Sequence, residues 1–308
     1  MVKILEVKTE HVIPFKTIFE VLKDVLTDVS IEFSNDHPAN DGTDRIIAGG
    51  IKIVTVDPTR SVLINLKLDA DQFATYMCSN SPFDLGVNLS TLYKLLKNIE
   101  KDDMLTLFVE DFEKQYLSLQ IENMEKKCIT MYRLKLMDLD NIPLKIPAAE
   151  YDAMVTMSSS DFHKVCKEMH QISEYIEIKC TPRYIKFTFK GDSSDGSKVF
   201  MADEKNGINI KYYTESNNSS FTIIQGIYEL KNLTLFTKCT NLCNDIQIYM
   251  KNNFPLVIKY TIATLGRILL CLTPISDPDT KSDSDDCDDV SDNEMLFLMD
   301  KKNVKNNK

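Results

Sequence analysis

The chain has 308 residues, 43% of them hydrophobic and 27% charged, with a formal net charge of −10. That is enough apolar material for one or two sizeable cores, while no apolar run approaches the roughly 20 residues needed to span a bilayer as a helix. The acidity argues against a protein that coats DNA with its whole surface, but not against one that gathers basic charge on a single face.

The opening MVKILEVKTEHVIPF carries acidic residues where a signal peptide needs an apolar core, so an intracellular chain is expected. Phe15, Ile18, Phe19, Leu22, Val25, Leu26 and Val29 then follow helical spacing. A turn-rich stretch, Asn35–Gly50, reads as a loop or irregular hairpin, and Val62–Leu68 alternates as a strand does. A second short helix follows, with Ser90 read as its N-cap and Leu92, Leu95, Leu96 and Ile99 on its apolar side. Strands are predicted at Met104–Val109 and Tyr116–Ile121. Lys135–Tyr151, KLMDLDNIPLKIPAAEY, carries Pro143 and Pro147 and reads as an extended connector. Its many apolar residues require it to pack on something.

The same order then recurs. A helix from about Ser160 turns Phe162, Val165, Cys166 and Met169 inward, and strands follow at Tyr175–Cys180 and Tyr184–Lys190. After a turn-rich Gly191–Ser220, a fourth helix near Glu229–Thr240 buries Leu230, Leu233 and Phe236, with strands at Ile246–Met250 and Leu256–Ala263. The layout is therefore two α+β halves with two helices each. From Ser276 the chain turns acidic, with nine carboxylates by Glu294, and reads as disordered. Its patch Met295–Met299 reads either as an incidental apolar stretch or as a short docking peptide. The expected division is residues 1–134, a connector 135–151, residues 152–275 and a tail 276–308.

Eight lysines fall in pairs on the polar sides of the four helices: Lys16/Lys23, Lys94/Lys97, Lys164/Lys167 and Lys231/Lys238. Spacings of seven and three keep each pair on one side of its helix. Four such helices in one layer give an acidic chain a basic stripe of the kind that binds phosphate backbones, although any surface helix also carries lysines opposite its apolar stripe. Nothing points to catalysis: the sequence has no phosphate-binding glycine loop, no zinc-protease motif and no nucleophile elbow. Its four histidines, His11, His37, His163 and His170, lack a partner nucleophile at motif spacing. Cys239 and Cys243 have no second ligand pair near them, so neither a metal nor any other cofactor is expected.

At Phe19-Glu20-Val21-Leu22-Lys23-Asp24, Gly86-Val87-Asn88-Leu89, the KLMDLD opening of the connector with its Ile146-Pro147…Glu150-Tyr151 close, Phe236-Thr237-Lys238 and Pro255-Leu256-Val257, the chain resembles the proliferating cell nuclear antigen family of DNA sliding clamps over roughly residues 1–275. Its Asn- and Lys-rich character suits a divergent copy from a large DNA virus. The resemblance implies an α+β fold of duplicated clamp domains, two per chain. Three copies would join head to tail with sheets outside and four helices lining a hole for duplex DNA. The eight lysines would then be lumen residues, with Thr17 standing where many clamps are basic. It also implies a pocket for partner peptides at Val56, Leu144, Ile146, Pro255, Cys271 and Thr273, where the position of Cys271 is commonly aromatic. The subunit contact would pair Cys128–Leu134, with Tyr132 as an interface aromatic, against Ser197–Ala202 of a neighbour. Implied partners are sequence-independent duplex DNA, a DNA polymerase and other clamp-binding-motif proteins, and an ATP-driven loader. The implied location is the nucleus or a viral replication site. The alternative within the same fold is a monomeric or dimeric polymerase accessory factor held on DNA by charge alone. For the tail, Asp283–Glu294 reads either as a solubility segment or as a mimic of DNA charge that occupies the basic channel.

Overall fold

The computed structural model describes residues 2–38, 46–139, 150–213 and 222–275. The first half runs β1 (Lys3–Thr9), α1 (Val12–Val25), β2 (Asp28–Ser34), a minimal ladder of β3 (His37–Pro38) and β4 (Ile46–Ile47), β5 (Gly50–Val56) and β6 (Val62–Asp69). It continues with β7 (Thr75–Cys78), β8 (Phe83–Asn88), α2 (Leu89–Leu96), β9 (Asp103–Glu110), β10 (Tyr116–Asn123) and β11 (Cys128–Lys135). The second half runs β12 (Ala153–Ser158), α3 (Ser159–His170), β13 (Tyr175–Cys180), β14 (Tyr184–Lys190), β15 (Asp195–Met201) and β16 (Asn209–Tyr212). It closes with β17 (Ile224–Glu229), α4 (Leu230–Phe236), β18 (Asp245–Met250), β19 (Leu256–Ile262) and β20 (Gly266–Leu272).

Strand order repeats with the chain. The first half supplies a sheet β11-β10-β9-β1-β7 and a four-strand set β6-β5-β2-β8; the second supplies β20-β19-β18-β12-β16 and β15-β14-β13-β17. One pairing joins the halves: β20 lies antiparallel to β6 from Gly266↔Leu68 to Leu272↔Val62, making a continuous nine-stranded sheet. Inner faces are set by strict alternation, as in β13 and β18, where every second residue is buried. Helix stripes close the core. Val12, Phe15, Ile18, Phe19 and Leu22 are buried on α1, and Ser159, Phe162, Val165, Cys166 and Met169 occupy the matching positions of α3. Packing of α1 on α2, α3 on α4, and α1 on α4 and its extension puts all four helices in one layer.

The predicted elements need four corrections. The first helix stops at Val25: Leu26 is extended, and Val29 reaches the core from β2, continuing a helical spacing only by coincidence. Asn88, not Ser90, caps α2, its side-chain oxygen accepting from the Thr91 N–H at 2.9 Å. The fourth helix is α-helical only to Phe236 and tightens into a 3₁₀ turn over Thr237–Leu242. The turn-rich Gly191–Ser220 contains two strands, β15 and β16.

The connector does not leave the sheet at once. Lys135 still pairs with Tyr116, the Leu136 N–H donates to Gln115 O at 2.9 Å, and Met137 bridges Gly86. Its centre, with Leu144 and Ile146, and the acidic tail lie outside the described residues. An ideal Cβ on Gly86 would stand 2.1 Å from the Met137 carbonyl oxygen, a contact no backbone tolerates. Gly86→Ala should therefore detach Met137 and cost about 1–3 kcal/mol, read as a lower urea midpoint at unchanged m-value. An unchanged midpoint would show that the bridge contributes nothing.

Candidate nucleic-acid interface and free sheet edges

All eight predicted lysines lie in or just after the four helices, opposite the buried stripes, so the layer brings them onto one side of the molecule. They are not equally available. Lys16 is half-buried and caps the end of α2, its ammonium donating to Lys97 O at 2.9 Å and Ile99 O at 3.1 Å. Lys23 bonds Asp24 at 2.6 Å and sits 5.0 Å over the Tyr93 ring. Lys238 crosses from the second half to bond the same Asp24. Lys164 pairs loosely with Asp161 at 3.6 Å. Lys94, Lys97, Lys167 and Lys231 are exposed, with no ion pair among the described residues.

Asp24 is the site residue that sequence reasoning passed over. Partial burial works against its charge, but the hydrogen bonds from Lys23 and Lys238 outweigh that and hold its carboxyl below the usual 3.8. The available signal was the Lys23-Asp24 dipeptide itself; the long-range partner Lys238 is visible only in the fold. A second omission concerns α3. Its buried stripe aligns with that of α1 at a separation of 147 (159 − 12, 162 − 15). His163 and His170 then occupy the places of Lys16 and Lys23, and Lys164 that of Thr17.

On the sheet face away from the helices, one row of directly paired residues runs Val56–Leu63–Cys271–Val257–Tyr249–Met154 across six strands. Three predicted pocket positions join this area: Val56 and Cys271 flank Leu63, while Thr273 follows one step along, its N–H donating to Ser61 O. Pro255 precedes β19 beside them and is half-buried. Burial pushes the Cys271 thiol up to about 12, so it is a small neutral hydrophobe. The Thr273 hydroxyl is buried without a hydrogen-bond partner among the described residues.

Both predicted contact strands lie at sheet edges. β11 and β15 each have one paired side, to β10 and β14, and one open side. They leave Ile129, Met131, Val199 and Met201 exposed, while Tyr132 is half-buried on the helix side of β11. The topological equivalents of these two strands, β20 and β6, are the pair that joins the halves.

A duplicated α+β chain, with one layer of lysine-bearing helices and with free edges equivalent to its own internal junction, defines a two-domain clamp-type protein. Family models agree in tandem: that of the proliferating cell nuclear antigen N-terminal domain matches residues 4–142, and that of the C-terminal domain matches 145–275. The chain belongs to the proliferating cell nuclear antigen family. A "Probable DNA polymerase sliding clamp" of Acanthamoeba polyphaga mimivirus is 32% identical over 301 residues, covering 89% of this chain, which spans only 62% of that relative's length. "Proliferating cell nuclear antigen" of Chaetomium thermophilum is 30% identical over 275 residues, covering 88% of this chain and 97% of its own length. A "Probable DNA polymerase sliding clamp 1" of Paramecium bursaria Chlorella virus 1 is 26% identical over 265 residues, with 84% and 92% covered.

Because the Asp24 carboxyl is depressed, its contribution to stability is complete above about 3.8 and is lost as pH falls through the folded value. Carboxyl-carbon NMR should place its titration below 3.8 in the intact chain and closer to 3.8 in Lys238→Met. Identical titration in the two proteins would mean that the bridge between the halves does not form.

Proposed function

We propose that this chain is a DNA sliding clamp, a non-enzymatic ring of three copies that encircles duplex DNA and tethers a polymerase and other replication proteins to it. The observation that carries this is the tandem of two clamp domains with all eight helix lysines on one side. In the ring, that side is the inner wall and the acidic surface faces outward. Sliding needs attraction to phosphates without base readout, because a base-specific contact would trap the ring. Lysine supplies a mobile point charge with no fixed bidentate geometry. Retention comes from topology, so single contacts remain weak.

The row around Val56 and Cys271 is proposed as the capture site for partner peptides with apolar anchors. Leu144, Ile146, Pro255 and Thr273 are proposed as its further members. An ATP-driven loader would open the ring, and its place of work is a DNA replication site in the nucleus or in a viral factory. The division at residues 134, 151 and 275 is retained as the working domain map.

After loading, the protein should stay on closed circular DNA through a high-salt wash and run off a linearised template. Equal loss from both templates would overturn the encircling reading. Asp24→Asn should release Lys23 and Lys238 to phosphate and raise low-salt duplex affinity several-fold, with a steeper salt dependence, whereas Lys94→Ala with Lys231→Ala should lower both. Unchanged salt slopes in these variants would place the helix layer away from DNA.

A further inference from the structure

We propose that the acidic segment after Ile275 docks on the outer sheet face of its own second half, its carboxylates against Lys179 and Lys186, rather than in the helix layer. The contact needs no second copy, so it stands apart from the ring reading.

The site is a cross-strand row that carries no counter-charge of its own. The burial alternation of β2 and β13 aligns Glu32 with Lys179, both on the side away from the helices. In the first half the row runs Asp84–Glu32–Lys52–Lys67 across β8, β2, β5 and β6. Each lysine there has a carboxylate: Lys52 meets Glu32 at 3.7 Å and Lys67 meets Asp69 at 3.4 Å. In the second half the equivalent row runs Gln225–Lys179–Lys186–Val199 across β17, β13, β14 and β15. A lysine stands where the first half has Glu32, and a glutamine where it has Asp84. Lys179 and Lys186 are thus directly opposite each other, a like-charge pair that destabilises a sheet. Both are half-buried, and neither has an ion pair among the described residues. Glu177 lies two residues along, opposite Thr188, and pairs with neither. Exposed Arg183, in the turn between the two strands, adds to the positive field.

The occupant follows from where the chain leaves the sheet. The Ile275 N–H donates to Ile227 O at 2.8 Å on the open side of β17. That bridge is antiparallel, so its sense leads from Ile227 toward Gln225, the first residue of the lysine row. Residues 276–294 carry nine carboxylates against the single Lys281. Asp283 follows Ile275 by eight residues, a reach of up to about 26 Å, while β13 and β14 lie about 5 and 10 Å from β17. So short a tether holds the carboxylates beside the lysines at an effective concentration of about millimolar. The helix lysines lie behind the sheet, on the far side from this row. So placed, the segment gives the second half the counter-charge that the first half builds in. A phosphate backbone approaching this face then meets carboxylates rather than two lysines.

The test uses the full chain with the exposed Cys128 replaced, Cys128→Ser, so that a nitroxide attaches at Cys287 within the acidic run. The label should be largely immobilised at about 0.05 M salt, and either about 0.5 M salt or Lys179→Ala with Lys186→Ala should lower the immobilised fraction about threefold. Lys179→Arg with Lys186→Arg should keep it immobilised, and Lys94→Ala with Lys231→Ala should leave it unchanged. Carbodiimide should link Lys179 or Lys186 to carboxylates of residues 277–294 within one copy, read from a mixture of isotope-labelled and unlabelled chains. Release of the label by the helix-lysine variant, with links to Lys94 or Lys231, would put the segment in the helix layer and overturn the proposal. A label equally mobile in every protein, or links only between different copies, overturns it as well.

Discussion

The antiparallel pairing of β20 with β6 is the constraint on which the molecule depends. It fuses two sheets of separate halves into one of nine strands and buries Leu66, Ile268 and Leu270 completely beneath the helix layer. Because each half contains an equivalent of both strands, one such pairing uses up one edge of each type. An equivalent edge of each type is left over, β11 on the first half and β15 on the second. Unpaired edges expose a row of backbone donors and acceptors, and a chain must blunt, cover or pair them. Duplication thus generates a head and a tail from the same geometry that makes the fold, and repeated head-to-tail contacts close when the rotation per copy divides a circle.

The helix layer is held by weaker forces, and the magnitudes matter. Lys23, Lys164 and Lys238 make exposed ion pairs worth roughly 0–1 kcal/mol each. Pairs this weak can be displaced by a competing anion, and a polyanion would bring counterion release as well as charge. Asp24 stands apart because it holds two cations from different halves, joining α1 to the 3₁₀ turn after α4. Lys16 stands apart in another way. Its two carbonyl bonds fix α1 to the end of α2, so its charge adds to the field of the layer while its ammonium is spent on the fold.

Most of the fold was legible because the two periods are clean where one face is buried. β13 and β14 begin and end where the alternation of their residues predicts, and the stripe of α3 matches the burial seen, whereas α2 buries Leu89, Leu92 and Leu96, leaves Leu95 half-buried and ends before Ile99. The failures have separate causes. β15 reads as turn-rich because Asp195-Gly196-Ser197-Lys198 carries no apolar alternation, although the strand alternates between half-buried and exposed residues and the family resemblance places an edge strand at Ser197–Ala202. Ser90 reads as the cap when the apolar pattern is counted from Leu92, although Leu89, fully buried, already belongs to the helix. The two histidines in lysine places on α3 are visible only once the buried stripes, not the charges, set the register between α1 and α3.

The internal junction and the free edges differ where it counts. By strand-to-strand alignment of the two halves, Leu63, Leu66 and Ile268 at the internal junction correspond to Asp195, Lys198 and Thr130 on the free edges. The internal junction never has to face water, so an apolar pairing carries no penalty. The free edges face water, and an inward charge such as Lys198, paired with Glu168, is the kind of feature that keeps an open edge from pairing with a wrong strand. The same duplication thus yields an apolar, permanent joint inside the chain and leaves two more polar edges of the same geometry open to water.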